Sequence, residues 1–238
     1  MTLRTGCSTL AGMEKPLMPD GATPMFWIAV AGCFVFWLLA YVLIIRIGFK
    51  EKTFGMPIAA LCANFIWEIL FSHVYAPSFS LIQWGNTAWA LFDVAILITV
   101  WKYGRADFGD PWVKKHFHLI VVIGLAVAFA VMYPFAGYYK DLKGYYLGWA
   151  AALMMSVLFI AMLRRRGSVK GQSFYIALFM FLGNYSAYLW VKYFPNLSFS
   201  LGINLQMFLC TGFFNVAYMV MIYRKCREEG INPWKRFW

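Results

Sequence analysis

Two carboxyl side chains, Glu68 and Asp93, stand inside long apolar stretches of this sequence. A charged side chain at membrane depth costs about 3 kcal/mol, so such residues usually face a cavity and mark a functional site. Neither stretch contains a Lys or Arg that could neutralise the carboxyl. A buried carboxyl without a cationic partner is expected to keep its proton. We therefore predict that Glu68 and Asp93 are catalytic and that at least one is a general acid.

Amide and aromatic side chains accompany the two carboxyls. Asn64 precedes Glu68 by four residues, which places both on one face of a helix, so Asn64 is predicted to orient the carboxyl. Aromatic faces stabilise cations, and an acid beside aromatic walls suits carbocation chemistry. The same residue types also serve as ordinary interhelical contacts and lipid-facing surface. With Asn64, the candidate substrate-binding residues are Trp67, Trp89, Asn184, Tyr185, Tyr188, Trp190, Gln206 and Asn215.

The elements that position these residues are predicted to be membrane helices. Apolar residues make up 62% of the 238 residues and charged residues 13%, whereas soluble domains carry about 25% charged residues. The apolar residues form runs near the length of about 20 residues that crosses a bilayer. We predict an all-α polytopic protein with seven transmembrane helices, of which the third is the shortest. They cover residues 25–45, 56–74, 87–101, 119–135, 144–163, 173–191 and 203–223.

Four prolines fall at the predicted span margins, and none is expected inside a span. Pro57 opens the second span, whereas Pro77, Pro134 and Pro195 are expected to close the second, fourth and sixth. A residue without an N–H group does least harm at a helix end. The absence of a mid-span proline favours a rigid chamber over a carrier that flexes at proline.

The distribution of basic residues predicts the orientation in the membrane. Sixteen of the 21 Lys and Arg residues fall in the first, third and fifth connections and the C-terminal tail. Positive charge marks the cytoplasmic side. We therefore predict an extracytoplasmic N-terminal segment (1–24), a transmembrane domain (25–223) and a basic cytoplasmic tail (224–238). The net charge of +11 is assigned to contact with anionic membrane lipids, and no nucleic-acid partner is expected.

The positions of the two carboxyls along their spans predict their depth. Glu68 lies seven residues before Tyr75, and Asp93 lies seven residues after Asn86. At about 1.5 Å per residue, both are expected in one layer about 10 Å below the outer surface.

A faint internal repeat relates the two ends of the chain. Residues 91–95 read LFDVA, and residues 213–217 read FFNVA. Asn64 and Asp93 are 29 residues apart, while Asn184 and Asn215 are 31 apart. Helices one to three and five to seven would then form parallel repeats joined by the fourth, an arrangement that often places a binding site between the repeats. Chance similarity between apolar helices is the competing explanation.

The residues Asn64-Phe65-Ile66-Trp67-Glu68 and Leu91-Phe92-Asp93 resemble the small seven-helix membrane terpene cyclases of meroterpenoid and indole-terpenoid biosynthesis. The resemblance extends to chain length, helix number and orientation. It implies that Glu68 protonates a terminal epoxide or alkene of a prenylated small-molecule substrate and so starts cationic ring closure, with neither metal nor cofactor. Fungal members typically carry a second essential Asp in the last helix, whereas this chain has Asn215 at the matching position. This departure implies either that Asp93 supplies the second carboxyl or that a different group of the substrate is protonated.

Two other functions remain open at this point. A small-solute or proton-coupled transporter could use the same three-plus-one-plus-three helix plan. A membrane scaffold without catalytic activity is the other alternative, although it gives no reason for two acids at one depth. The sequence gives no oligomeric state.

Overall fold

The computed structural model describes residues 19–75, 80–194 and 200–237. Seven α-helices and no strand occur in these residues. The second helix continues into one π-helical turn, Leu70–Val74, and the third into a 3₁₀ turn, Gly104–Asp107. The helices are α1 Pro24–Lys50, α2 Ile58–Ile69, α3 Ser80–Tyr103, α4 Pro111–Tyr138, α5 Tyr145–Arg166, α6 Phe174–Tyr193 and α7 Leu201–Glu228. Most of the predicted segment 1–24, together with Pro77 and Pro195, lies outside the described residues.

Side-chain caps fix where several helices begin. Asp110 accepts a hydrogen bond from the Val113 amide at 2.9 Å, directly before Pro111. Ser173 accepts one from the Ile176 amide at 3.2 Å. These caps satisfy N–H groups that have no partner within the helix.

Six helices are long and apolar enough to cross a membrane, and the shorter apolar helix Ile58–Val74 completes the bundle. The prediction of an all-helical polytopic membrane protein is confirmed. The expected order of lengths is wrong, because α3 has 24 residues and α2 is the shortest helix in the described chain. The polar residues Gln83, Asn86 and Thr87 concealed the start of α3: Thr87 donates to the Gln83 carbonyl at 2.8 Å and so remains compatible with a helix.

The fourth helix does not end at its proline. Pro134 lies inside α4, which continues to Tyr138, so the expectation of no proline within a span is wrong. Proline removes one hydrogen bond to the preceding turn and does not by itself stop the chain from continuing as a helix. The hydroxyl of Tyr75 donates to the Tyr133 carbonyl at 2.7 Å, and the two rings stack. This contact joins the end of the second helix to α4 next to Pro134.

The carboxyl layer lies near the middle of the bundle. Asp93 follows the start of α3 by thirteen residues, which is about 20 Å of helix, and precedes its end by ten, about 15 Å. Measured along the helix, Asp93 therefore lies further from the start of α3 than the predicted span placed it, because α3 begins seven residues before that span. Glu68 and Asp93 nevertheless share a layer, because both contact Asn64.

Helices α1–α3 and α5–α7 pack in matching patterns. Within the first set, α3 packs against α1 and α2; within the second, α7 packs against α5 and α6. Between the sets, α1 packs on α6 and α5 packs on α2. Exchanging each helix with the one four places later reproduces these pairs. The arrangement agrees with the parallel three-plus-one-plus-three repeat and assigns α4, which packs on α2, to the linker.

Ion pairs gather the basic connections at one end of the bundle, here called the basic end. Arg166 Nε lies 3.1 Å from Asp107, which joins the connections after α3 and α5. Arg236 of the tail lies 2.7 Å from Glu51, which follows α1. The opposite end carries the α4–α5 connection and is here called the α4–α5 end.

Candidate active site

Three helices bring four polar side chains together at mid-height. The Asn64 amide nitrogen lies 2.7 Å from Glu68 Oε1, 2.9 Å from Asp93 Oδ2 and 2.6 Å from the Tyr41 hydroxyl. Tyr41 also donates to Glu68 Oε1 at 2.7 Å. These four residues are called the carboxyl cluster below. Asn64 thus contacts Glu68, as their four-residue spacing requires on one helix face, and the cluster also contains Tyr41, which the sequence did not single out.

Local helix geometry accounts for the arrangement. Asn64 and Glu68 are one turn apart on α2, so their side chains lie on the same face. The π-helical turn begins two residues after Glu68, and Ser72 within it donates to the Glu68 carbonyl at 2.6 Å. π-Helical turns frequently occur at functional sites because they change the helix register locally.

The two carboxyls are buried without a cation. Glu68 is 1% exposed and Asp93 is fully buried. Among the described residues, no Lys, Arg or His forms an ion pair with either. Glu68 Oε2 and Asp93 Oδ1 have no hydrogen-bond partner within that part of the chain. Burying two ionised carboxylates without a cation would cost much free energy. We therefore expect the carboxyl cluster to retain at least one proton.

Glu68 stands at the wall of a cavity, and Asp93 lies behind it. The cavity has a volume of about 150 Å³ and extends from Glu68 to the α4–α5 connection. Tyr41, Asn64 and Glu68 line it, whereas Asp93 does not. Of the two predicted catalytic carboxyls, only Glu68 is therefore in a position to touch a molecule in the cavity.

Aromatic rings form much of the remaining wall. The Trp67 indole N–H donates to the Gly144 carbonyl at 2.9 Å, and its ring packs against Gly148. Trp89 stacks on Phe34, with ring centroids 4.7 Å apart. These contacts fix the orientation of the indoles, and such π-faces can stabilise a cation in the cavity. The aromatic lining residues are Trp37, Tyr41, Trp67, Phe71, Trp89, Tyr145, Trp149 and Trp190.

The structure separates the predicted substrate-binding residues into two groups. Those that line the cavity are Asn64, Trp67, Trp89, Asn184 and Trp190. Tyr185, Tyr188, Gln206 and Asn215 do not line it. Of these four, Tyr185 and Gln206 are exposed on the outside of the bundle. Tyr188 stacks on Phe208 of α7 with ring centroids 5.0 Å apart, so it contributes to the packing of α6 on α7.

Asn215 belongs to a separate polar contact between α5 and α7. It is fully buried, and its Oδ1 accepts a hydrogen bond from the Ser156 hydroxyl at 2.8 Å. Its amide nitrogen has no partner among the described residues. The position expected to correspond to a family carboxyl therefore lies outside the cavity wall.

Sequence reasoning missed several lining residues: Tyr41, Trp37, Asn86, Trp149 and Lys143. Tyr41 had a usable signal, because it lies within a long apolar stretch and has a hydroxyl that needs a partner. Lys143 had no such signal, because it follows Asp141 and Leu142 in a short connection.

Asp141 lies in the same connection as Lys143. Burial raises the pKa of the Asp141 carboxyl, and hydrogen bonds from amide groups at the start of α5 partly offset this rise.

Fold and site together define an integral membrane protein with a buried carboxyl cluster at the wall of an aromatic cavity. A family model described as Pyr4-like transmembrane terpene cyclases matches residues 15–198. The chain belongs to this family. The match ends before α7, so Asn215 lies outside it.

Individual relatives agree with this assignment. The chain is 31% identical over 196 residues to "Terpene cyclase atmB" of Aspergillus flavus, covering 77% of this chain and 79% of that protein. It is 30% identical over 185 residues to "Terpene cyclase ascF" of Acremonium egyptiacum, covering 69% and 67%. It is 31% identical over 151 residues to "Pyr4-family terpene cyclase mfmH" of Annulohypoxylon moriforme. That alignment spans 62% of each chain, which is less than two thirds of mfmH. No solved structure matches this chain.

Proposed function

We propose that this chain is a cyclase in which Glu68 protonates the terminal epoxide or alkene of a prenylated small molecule and the cavity folds the resulting cation. The main support for this proposal is the position of Glu68. Glu68 is the only acidic residue among the described residues that line the cavity, and Tyr41 and Asn64 form hydrogen bonds with its carboxyl. Membership of a terpene cyclase family supports the reaction class.

The proposed reaction begins with proton transfer from the Glu68 carboxyl. With an epoxide, the proton goes to the oxygen while its bond to the more substituted carbon breaks. With an alkene, the proton adds to the less substituted carbon of the terminal double bond and leaves a tertiary cation on the other carbon. In both cases a neighbouring double bond supplies the electron pair that closes a ring, and loss of a proton from the final cation ends the sequence. The product is therefore an isomer of the substrate.

Asp93 acts through Glu68 in this proposal. Asn64 contacts both carboxyls, so the protonation and orientation of one depend on the other. Asp93 is thus a positioning residue. Trp67, Trp89 and Trp190 are proposed to guide the prenyl chain and to stabilise cationic carbon through their π-faces.

The cavity is proposed to open toward the extracytoplasmic side. Its α4–α5 end lies opposite the basic end, and positive charge favours the cytoplasm. Protease access to tags at the two termini, in sealed vesicles of known orientation, tests this assignment. A protected C-terminal tag and an accessible N-terminal tag in right-side-out vesicles support it, and the reverse pattern contradicts it.

The test of function uses purified protein in D₂O with a farnesylated phenol, supplied as its terminal epoxide or as its alkene. A cyclic isomer is expected from at least one substrate, with or without a metal chelator. Alkene protonation leaves one deuterium bound to carbon, whereas epoxide protonation leaves it on a hydroxyl, from which H₂O washing removes it. Mass spectrometry distinguishes the two.

Failure has a defined meaning in this test. If well-folded protein converts neither substrate, and proteoliposomes instead show solute or proton flux, the transporter interpretation replaces the cyclase. Loss of activity on chelation would overturn the metal-independent mechanism.

A further inference from the structure

The α4–α5 end of the cavity carries positively polarised groups and no acid among its described lining residues. Lys143 is exposed at this end, and its ammonium lies 5.4 Å from the centre of the Phe194 ring. This contact places Lys143 beside the end of α6. Among the described residues that line the cavity, Lys143 is the only lysine or arginine. Lys143 therefore gives the α4–α5 end of the cavity its positive charge.

A buried hydrogen-bond donor without a partner lies deeper in the cavity than Lys143. The indole nitrogen of Trp190 is buried and has no hydrogen-bond partner among the described residues. Trp190 lines the cavity and precedes Phe194 by four residues, or about 6 Å of helix. A buried N–H group that lacks a partner costs free energy, and an oxygen atom of a bound molecule would remove that cost.

The nearest acid in the chain does not neutralise Lys143. Asp141 is buried and accepts a hydrogen bond from the Leu147 amide at 2.9 Å. Its carboxylate thus serves the start of α5, where negative charge is favoured. No carboxylate within the described residues forms an ion pair with Lys143.

We infer that Lys143 and the Trp190 indole form a subsite for an acidic head group, a carboxylate or an ionised phenol or enol, on the prenylated substrate. This assignment rests on the proposed function, because the prenyl tail then extends inward to Glu68. An anion would be repelled by negative charge in the carboxyl cluster and attracted by Lys143. The two ends of the cavity therefore impose one orientation, with the tail entering first.

The test measures binding separately from catalysis. The probes are 4-hydroxybenzoic acid carrying a fully saturated farnesyl chain and the methyl ester of the same compound, neither of which can cyclise. Purified protein is held in nanodiscs of zwitterionic phosphatidylcholine, which removes attraction by lipid charge. The measured quantity is the ratio of the ester Kd to the acid Kd. Comparing this ratio between variants cancels the unequal partitioning of the probes into lipid.

The wild type is expected to have a ratio roughly five- to tenfold higher than Lys143→Gln, as for a partly exposed ion pair supported by one hydrogen bond. Lys143→Arg should keep most of the preference. Lys192→Gln is the matched control, because Lys192 is also exposed and lies over a ring, Tyr193, but does not line the cavity. It should keep the wild-type ratio. Trp190→Phe should weaken both probes, since acid and ester each present a carbonyl oxygen.

An unchanged ratio in Lys143→Gln overturns the subsite, even if the enzyme cyclises its substrates normally. An equal loss in Lys192→Gln also overturns it, because the effect would then be one of general surface charge. If the expected ratios are found but no reactive substrate is converted, the subsite stands and the proposed chemistry fails.

Discussion

The two halves of the bundle share a packing pattern but differ in the chemistry at mid-height. In α1–α3, Asn64 contacts two carboxyls. In α5–α7, Asn215 accepts a hydrogen bond from Ser156. Asp93 and Asn215 occupy corresponding places in the LFDVA and FFNVA segments. A carboxylic acid can donate its proton to a carbon or an epoxide oxygen, whereas an amide or an alcohol is far too weak an acid. In the proposed mechanism, the same scaffold therefore supports acid chemistry in one half and structural hydrogen bonding in the other.

Replacing Glu68 by Gln should produce the largest effect and would break this comparison most directly. Gln has nearly the same size but cannot donate a carboxylic proton. We expect kcat for cyclisation to fall by about 10²- to 10⁴-fold, with little change in Tm. The matched control is Glu228→Gln, which alters an exposed carboxyl that pairs with Lys225 at the surface. Full activity of folded Glu68→Gln would show that Glu68 is structural.

Replacing Asp93 by Asn makes the first half resemble the second. We expect kcat to fall about 10- to 100-fold, similar to the loss when a polar partner that orients a metal ligand is removed. KM should change little because Asp93 does not line the cavity. The double variant Glu68→Gln/Asp93→Asn should be no slower than Glu68→Gln alone, because residues that act as a unit are non-additive. Additive losses would separate Asp93 from Glu68.

Replacing Tyr41 by Phe tests what α1 contributes to the acidic half of the bundle. The change removes the hydroxyl that donates to Glu68 at 2.7 Å, and one such hydrogen bond is worth about 1 kcal/mol. We expect kcat to fall about fivefold. Tyr218→Phe is the control in the other half, because Tyr218 is also buried and donates to Gln172 at 2.9 Å. It should lower Tm without lowering kcat, and an equal kcat loss in both variants would contradict a special role for Tyr41.

The smallest effect is expected from Ser156→Ala. This variant removes the hydrogen bond to Asn215, and such contacts between membrane helices contribute about 0.6 kcal/mol on average. Thermal unfolding in detergent should show a small decrease in Tm, with kcat within about twofold of wild type. A tenfold loss of kcat at unchanged Tm would place the α5–α7 contact in the reaction, and the division between the halves would fail.

The sequence by itself determined the helical membrane class and one side of the site. Apolar runs near bilayer length identify membrane helices because the backbone must satisfy its own hydrogen bonds in lipid. The four-residue spacing of Asn64 and Glu68 specifies their shared face because helix geometry is local. The layer shared by Glu68 and Asp93 followed from counting residues, although the start of α3 did not, because its first two turns contain polar residues.

The tertiary structure alone decided which aromatic and polar residues face the cavity. Trp190 lines it and Tyr185 does not, although both lie in α6 and both are apolar enough for either position. Lipid and protein interior are both apolar, so hydrophobic periodicity cannot distinguish a lipid-facing ring from a cavity-facing one. The same limit applied to Tyr41, Lys143 and Asn215. Their roles depend on which helices pack together, and that pairing joins residues far apart in the chain.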